Sequence, residues 1–440
     1  MLPDRLTVKP ITRFRGTLTL PGSKSLSNRI LLLSALALGE TEVTRVLESE
    51  DTDVMLAALR ALGVEVRGHP AGRGAVWING KAGPLNAPLG QSKPLELFLG
   101  NAGTAMRPLT AVLAAGRGDF VLTGVPRMHE RPLGDLIAGL RQLGAQVQCL
   151  AREGYPPVRI SAAGLAGGVA RISGATSSQF LSALLMAAPL ARAPVVIEIT
   201  DTLVSQPYVA MTLALMARYG VQAAPSAPLR YEVPAPQRYR SPGRALVEGD
   251  ASSASYFLAG AAITGGKVRV EGCGSDSLQG DARFAEVLER MGARVRFEPA
   301  AIEVEGGAAL TGIDEDLTAM PDAAMTLAVA ALFARGPTTI RGIGNWRVKE
   351  TDRMAAVSTE LTKLGARTEV GPDSLVIHPP VRIRPASIAT YNDHRMAMAF
   401  SLAACGGEPI VIENPACVAK TFPEYFDELD KLTIHIDRPA

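Results

Sequence analysis

The chain has 440 residues, 47% of them hydrophobic and 20% charged, which is too long for one ordinary core and too apolar for a disordered polyelectrolyte, so two or three domains are expected. With 45 Lys and Arg against 43 Asp and Glu the formal net charge is +2. No whole-protein field steers it toward nucleic acid, and any anion it binds must meet locally clustered cations.

The first thirteen residues carry charges and prolines but no continuous apolar stretch of the kind a signal peptide needs. The longest apolar runs, after Phe180 and Met325, are rich in Ala and stop within about 15 residues, short of the roughly 20 that a bilayer demands. No membrane partner is expected. Cysteines 149, 273, 405 and 417 show no CxxC spacing, which fits small core residues in a reducing cytoplasm.

Taken in chain order, two phrases alternate. One begins with small or polar residues, continues as an Ala/Leu-rich helix and ends in a β-branched strand; its copies open near Ser23, Gly103, Ser177, Ser252, Asp322 and Asn392. The strands that follow include Val121-Leu122, 195–199, 267–271, 338–340 and 409–412. The other phrase is the last turn of a helix, a glycine and a strand. It appears at 59–66, 140–147, 216–223, 288–295 and 361–368 around Gly63, Gly144, Gly220, Gly292 and Gly365. Glycine suits such a junction because it enters the left-handed region without steric penalty. A sixth, degenerate copy lies at 426–432, with Asp430 in the place of the glycine.

Two independent phrases recurring at one period of about 75 residues describe six copies of one α/β unit. Grouped by three they make two domains, with a boundary around 242–249, where a Ser-Pro-Gly turn precedes the fourth copy. The residues before Pro21 could pair with either half.

The helix starts are where chemistry is expected, because four backbone N–H groups there lack intrahelical partners and the dipole favours anions. The segment Pro21-Gly22-Ser23-Lys24-Ser25-Leu26-Ser27-Asn28-Arg29 combines glycine, hydroxyls and two cations, and Asn101 to Arg107 and Thr176 to Gln179 repeat the design. Further charge lies in 127–131, 345–353, 391–395 and 420–423, at equivalent places in their repeats. Arginine's planar fork matches carboxylate and phosphate oxygens, whereas lysine serves as a point charge or proton donor. Among these cations Asp322 and Glu350 suggest acid–base roles. Each has a plainer reading, Asp322 as the cap of the fifth helix and Glu350 as an ion-pair partner of Arg353. His129 and His394 are isolated, so no metal site is expected. The GxGxxG fingerprint is absent, and no organic cofactor is expected either. Aromatics make up only 5% of the chain and do not interleave with the basic residues, so no nucleic-acid partner is expected.

These segments, together with Leu99 to Pro108 and Lys420-Thr421-Phe422-Pro423, run in the order found in the enolpyruvyl transferases, and over nearly its whole length the chain closely resembles the EPSP synthase family. The resemblance implies an α/β fold, a two-domain inside-out α/β barrel of six repeated β/α units, three per domain. Residues 1–22 and 248–440 would form one discontinuous domain and 23–247 the other, with the active site in the interdomain cleft. It implies transfer of the enolpyruvyl group of phosphoenolpyruvate to the 5-hydroxyl of 3-phosphoshikimate by addition and elimination, a step toward chorismate and the aromatic amino acids, in a cytoplasmic monomer.

Carried over position by position, the resemblance places Lys24, Ser25, Arg29, Ser177, Ser178, Gln179, Ser205, Tyr208, Asp322, Asn345 and Lys349 on the 3-phosphoshikimate side. It places Lys24, Gly103, Arg127, Gln179, Arg353, Arg395 and Lys420 on the phosphoenolpyruvate side, with Asp322, Glu350 and Lys24 catalytic. His129 stands where many relatives carry lysine. Gly103 and Pro108 follow the pattern of glyphosate-sensitive members, so glyphosate is an expected inhibitor. The UDP-N-acetylglucosamine enolpyruvyl transferases share the fold and donor, but would carry a reactive loop cysteine and lack the Lys349 to Arg353 pattern.

Overall fold

Five of the six expected helix-to-strand junctions turn on a left-handed glycine, with φ of 75° at Gly63, 90° at Gly144, 76° at Gly220, 112° at Gly292 and 99° at Gly365. An L side chain resists this region, so glycine is what the reversal requires. The sixth junction is built differently. Asp430 lies inside the helix Tyr425–Leu432, which passes into the strand Thr433–His435 through an extended Thr433. No left-handed residue is needed there, and Asp430 does not take the glycine's part.

The structure is a computed structural model that describes residues 2–68, 74–90, 92–307 and 309–435. Twelve α-helices lie among the described residues: α1 (Lys24–Leu36), α2 (Glu50–Ala61), α3 (Gly103–Ala114), α4 (Gly134–Gln142), α5 (Ser178–Ala187), α6 (Gln206–Arg218), α7 (Ala251–Thr264), α8 (Phe284–Arg290), α9 (Ala324–Ala330), α10 (Arg353–Lys363), α11 (His394–Ser401) and α12 (Tyr425–Leu432). The odd-numbered helices carry apolar or small residues on every face and are buried almost throughout, whereas α4, α10 and α12 bury one stripe. In α1, α3 and α5 the one residue that escapes full burial is Ser25, Thr104 and Gln179 respectively. Each lies in the first turn, so these helices open only at their N-terminal ends.

Each odd-numbered helix is followed by a central strand. In five of the six sheets that hold such a strand, it has a parallel neighbour on one side and an antiparallel pair on the other. In residues 22–247 the strands Glu40–Thr44, Arg117–Thr123 and Val195–Ile199 are the centres. The parallel neighbour of the first is Arg244–Leu246, from the far end of the same segment. In the C-terminal half the centres are Lys267–Glu271, Thr338–Arg341 and Ile410–Glu413. The N-terminal strands pair here: Ile11–Thr19 runs parallel to Lys267–Glu271 and antiparallel to Thr433–His435, and Arg5–Val8 runs antiparallel to Ile410–Glu413. The chain accordingly divides into one unit of Met1–Pro21 with Glu248–Ala440 and another of Gly22–Val247.

The core of the discontinuous unit is organised around large rings. Phe14 lies against Gly260, where a methyl group would come within 2.5 Å of the ring. Tyr256, Phe257, Phe422, Tyr425 and Phe426 pack with centroids 5.2 to 5.9 Å apart, within the range of favourable edge and tilted contacts. This cluster anchors the chain just beyond Lys420. No helix among the described residues is long and apolar enough to cross a membrane.

Candidate active site

The C-terminal half gathers four of the predicted residues around a fifth, the carboxylate of Asp322. Asp322 Oδ1 accepts hydrogen bonds from Arg353 Nη1 at 2.9 Å and Lys349 Nζ at 3.3 Å, and Oδ2 accepts from Arg395 Nη2 at 3.0 Å. Arg353, the first residue of α10 and 1% exposed, also donates through Nη2 to Glu350 Oε2 at 3.0 Å and through Nε to Asp393 Oδ2 at 2.7 Å. Arg395 donates through Nη1 to the Tyr256 hydroxyl at 3.3 Å. The cap reading of Asp322 fails: α9 begins after Ala323 with no side-chain cap. The ion-pair reading of Glu350 holds, and it leaves the side chain against the same cluster.

Burial works against a charge on Asp322, but Arg395, Lys349 and Arg353 outweigh it and hold the carboxyl well below the usual carboxylate range. Burial also opposes the charge on Arg353, yet Asp393, Glu350 and Asp322 raise its pKa and keep it a fixed cation. Local structure sets these positions. Trp346, fully buried in the 3-10 turn Gly344–Val348, donates Nε1 to the Pro321 carbonyl at 2.7 Å, which ties the segment bearing Asn345 and Lys349 to the residue before Asp322. Asp393 caps α11 through the Arg395 amide at 3.0 Å. Lys420 ends the 3-10 turn Pro415–Lys420.

The unit 22–247 presents cations at helix starts. Arg29, 5% exposed, donates through Nε to Thr212 Oγ1 at 2.8 Å, through Nη1 to the Ser25 carbonyl at 3.0 Å and through Nη2 to Ser182 Oγ at 3.5 Å, so it joins α1, α5 and α6. Burial lowers its pKa to about 10, with Tyr208 pulling the other way, and it stays cationic at neutral pH. Among the described residues no carboxylate pairs with it. A buried cation whose partners are all neutral is a site for an anion. Lys24, also buried, lies 3.6 Å from Asp51 of α2. Ser177 caps α5 by accepting from the Gln179 amide at 3.2 Å, and Ser205 heads α6 in a left-handed conformation, φ 55°.

Gly103 begins α3. A methyl group there would lie 1.9 Å from Arg107 Nη1 and 3.1 Å from Arg131 Nη2. Arg127 is half-buried in the 3-10 turn Pro126–Glu130 and pairs with Glu130 at 2.7 Å. Buried polar atoms with no hydrogen-bond partner among the described residues include Ser23 Oγ, Gln179 Oε1 and Asn345 Oδ1. Such orphaned groups are rare in folded proteins and are met by ordered water or by a bound ligand.

Sequence reasoning missed several residues of these clusters. Arg107 and Arg131 are buried beside Gly103; the signal for Arg107 was its place one turn after the glycine. Asp393 was visible only as part of a motif. Asp51 and Asp281 carried no signal. Asp281 is buried, accepts from Ser252 Oγ, and has its Oδ1 unpartnered among the described residues. Burial, reinforced by Asp322, pushes its pKa up to about 6. The described residues hold no group of His, Cys, Asp and Glu able to bind a metal, and burial pushes the Cys417 thiol up to about 12.

Comparison with known proteins bears on this arrangement. Residues 8–429 match the family described as EPSP synthase (3-phosphoshikimate 1-carboxyvinyltransferase). The chain is 55% identical over 443 residues to the chloroplastic 3-phosphoshikimate 1-carboxyvinyltransferase of Brassica napus, covering 98% of this chain and 86% of that protein. It is 54% identical over 430 residues to the 3-phosphoshikimate 1-carboxyvinyltransferase of Serratia proteamaculans, covering 98% and 99%. The solved EPSP synthase of Acinetobacter baumannii superposes with a TM-score of 0.80 at 28% identity, covering 98% of each chain. The six-unit architecture, the buried cations and the ionised Asp322 thus stand in a chain that, from its first sheet to its last helix, belongs to the EPSP synthase family.

Proposed function

We propose that the two clusters serve one reaction, with the cations of 22–247 and the Asp322 cluster engaging the same pair of substrates. As an EPSP synthase, the chain transfers the enolpyruvyl group of phosphoenolpyruvate to the 5-hydroxyl of 3-phosphoshikimate and releases phosphate. Both substrates carry a phosphate and a carboxylate, and bringing so much charge out of water requires paired cations. Arg29 and Lys24, with Ser25, Ser177, Ser178, Gln179, Ser205 and Tyr208, suit 3-phosphoshikimate. Gly103, Arg127, Arg353, Arg395 and Lys420 suit phosphoenolpyruvate.

The observation that carries the reading is a single carboxylate, Asp322, accepting from Lys349, Arg353 and Arg395 at once. Held so far below its ordinary pKa, Asp322 is a poor base in the ligand-free cluster. Substrate phosphate and carboxylate groups compete for the same donors, so their arrival weakens the cations' grip and raises the proton affinity of Asp322. Asp322 then takes the proton from the 5-hydroxyl as the hydroxyl oxygen attacks C2 of phosphoenolpyruvate, while C3 gains a proton from the Lys24 ammonium, or from Glu350 once its carboxylate has taken one up. Elimination reverses the second transfer: C3 loses a proton, the C2–O bond to phosphate breaks, and the double bond reforms. Fixed cations around the departing phosphate contribute more than any one proton transfer.

Phosphate release tests the assignment. It should occur with phosphoenolpyruvate and 3-phosphoshikimate together, be inhibited by glyphosate in competition with phosphoenolpyruvate, and be absent when UDP-N-acetylglucosamine replaces the acceptor. Release with the nucleotide sugar, or with neither acceptor, contradicts it.

A further inference from the structure

The backbone that delivers Arg395 to Asp322 is one that L residues resist. Tyr391 and Asn392 are consecutive non-glycine residues at φ 53° and 55°. Such strain persists only where the surroundings over-determine it, and it concentrates at functional sites. Asn414 donates through Nδ2 to Asn392 Oδ1 at 3.1 Å, and α10 holds the residues on either side. At the start of the helix, Arg353 bonds Asp393 through Nε at 2.7 Å and Nη2 at 3.3 Å. Two turns later Glu360, fully buried, accepts from the Tyr391 hydroxyl at 2.8 Å, the Ala389 amide at 3.3 Å and Lys363 Nζ at 2.8 Å.

The segment 389–395 is therefore pinned to one helix at both ends, and the pins differ in kind. Arg353 and Asp393 belong to the charged cluster itself. Glu360 and Tyr391 do not touch Asp322. Tyr391 is 43% exposed, so its ring gains little from burial, and the bond from its hydroxyl to a buried carboxylate is what its placement secures. Burial and Glu360 push the hydroxyl pKa up to about 12, so it remains a donor through the working pH range.

We propose that Glu360, acting through Tyr391, is a positioning residue that holds the strained 391–392 loop so that Arg395 stays in register with Asp322 and the donor site. The inference rests on the reading that Arg395 serves phosphoenolpyruvate. Glu360 makes no contact with substrate; it sets the geometry of a residue that does.

Steady-state kinetics on Tyr391→Phe, Glu360→Gln, the double variant and Arg395→Lys test this, alongside thermal midpoints. Tyr391→Phe keeps the ring and removes one hydrogen bond to a charged group; it should raise KM for phosphoenolpyruvate by about 5- to 20-fold. KM for 3-phosphoshikimate should stay within about twofold and the midpoint should change little. Glu360→Gln should act in the same direction. The double variant should be no worse than the more impaired single, because both break one linkage.

A folded Tyr391→Phe with unchanged KM for phosphoenolpyruvate, or a lowered midpoint as its sole effect, overturns the proposal. Multiplying effects in the double variant overturn it too. If Arg395→Lys impairs the donor and Tyr391→Phe does not, the positioning role falls and the donor-site reading stands. If neither impairs it, both fall.

Discussion

Adding one methyl group at Gly103 should weaken donor binding without unfolding the protein. The new carbon would lie 1.9 Å from Arg107 Nη1, 3.2 Å from Arg107 Cζ and 3.1 Å from Arg131 Nη2. Since van der Waals contact needs about 3.4 Å or more, the Arg107 guanidinium must retreat by roughly 1.5 Å. That breaks its 3.4 Å bond from Nη2 to the Pro132 carbonyl and moves a cation the site holds in place. A displaced charge-assisted contact costs about 1.5–3 kcal/mol, so phosphoenolpyruvate and glyphosate should each bind roughly 10- to 150-fold more weakly. Arg107 Nη1 is the far end of a flexible side chain, so the protein should stay folded, with a thermal midpoint that falls only slightly. Calorimetric titration of both ligands in the presence of 3-phosphoshikimate checks this. Unchanged dissociation constants in a folded Gly103→Ala protein would refute the idea that α3's first turn faces the donor.

Two more outcomes follow from groups at the same clusters. Arg29→Ala removes the buried cation whose bonds run to Thr212, Ser25 and Ser182; it should weaken 3-phosphoshikimate by at least about 30-fold, since a charge-assisted contact in a buried site is lost, and a titration showing unchanged affinity would remove Arg29 from the acceptor site. Burial, reinforced by Asp322, pushes the Asp281 carboxyl up to about 6 from its ordinary value of 3.8, so the folded state binds its proton more tightly and the carboxyl's contribution to stability declines as pH rises from about 4 through 6. Asp281→Asn should therefore stabilise the protein at pH 7 by up to about 3 kcal/mol and by nothing near pH 3.5, and denaturant curves showing the same difference at both pH values would contradict that assignment.

Where local chemistry decides, the sequence was readable. Gly63, Gly144, Gly220, Gly292 and Gly365 each mark a left-handed helix end because few other residues fit there. The one misread junction, Asp430, lacked that constraint: nothing local distinguishes an aspartate in a helix's last turn from one replacing a cap. Strand partners were not readable in the same way. The residues of Ile11–Thr19 fit either half, and the choice of Lys267–Glu271 comes from contacts some 250 residues away. Asp322 shows the same division. Its neighbours in sequence suggested a cap, whereas its true partners are Lys349, just past a 3-10 turn, Arg353 in α10 and Arg395 in α11. Arg107 and Arg131 stood inside segments the sequence singled out, but their burial beside Gly103, like that of Asp281, was not legible, because a buried charge and a solvated one look alike in a string of residues.

The central claim is that Asp322 is the base, poised by cations that the substrates draw away. The most direct measurement is turnover of Asp322→Asn at saturating phosphoenolpyruvate and 3-phosphoshikimate, with 3-phosphoshikimate affinity measured on the same protein. Asparagine keeps the shape and two hydrogen-bonding atoms but cannot take the proton, so turnover should fall at least about 100-fold while 3-phosphoshikimate still binds. Turnover close to that of the unaltered chain would contradict the account.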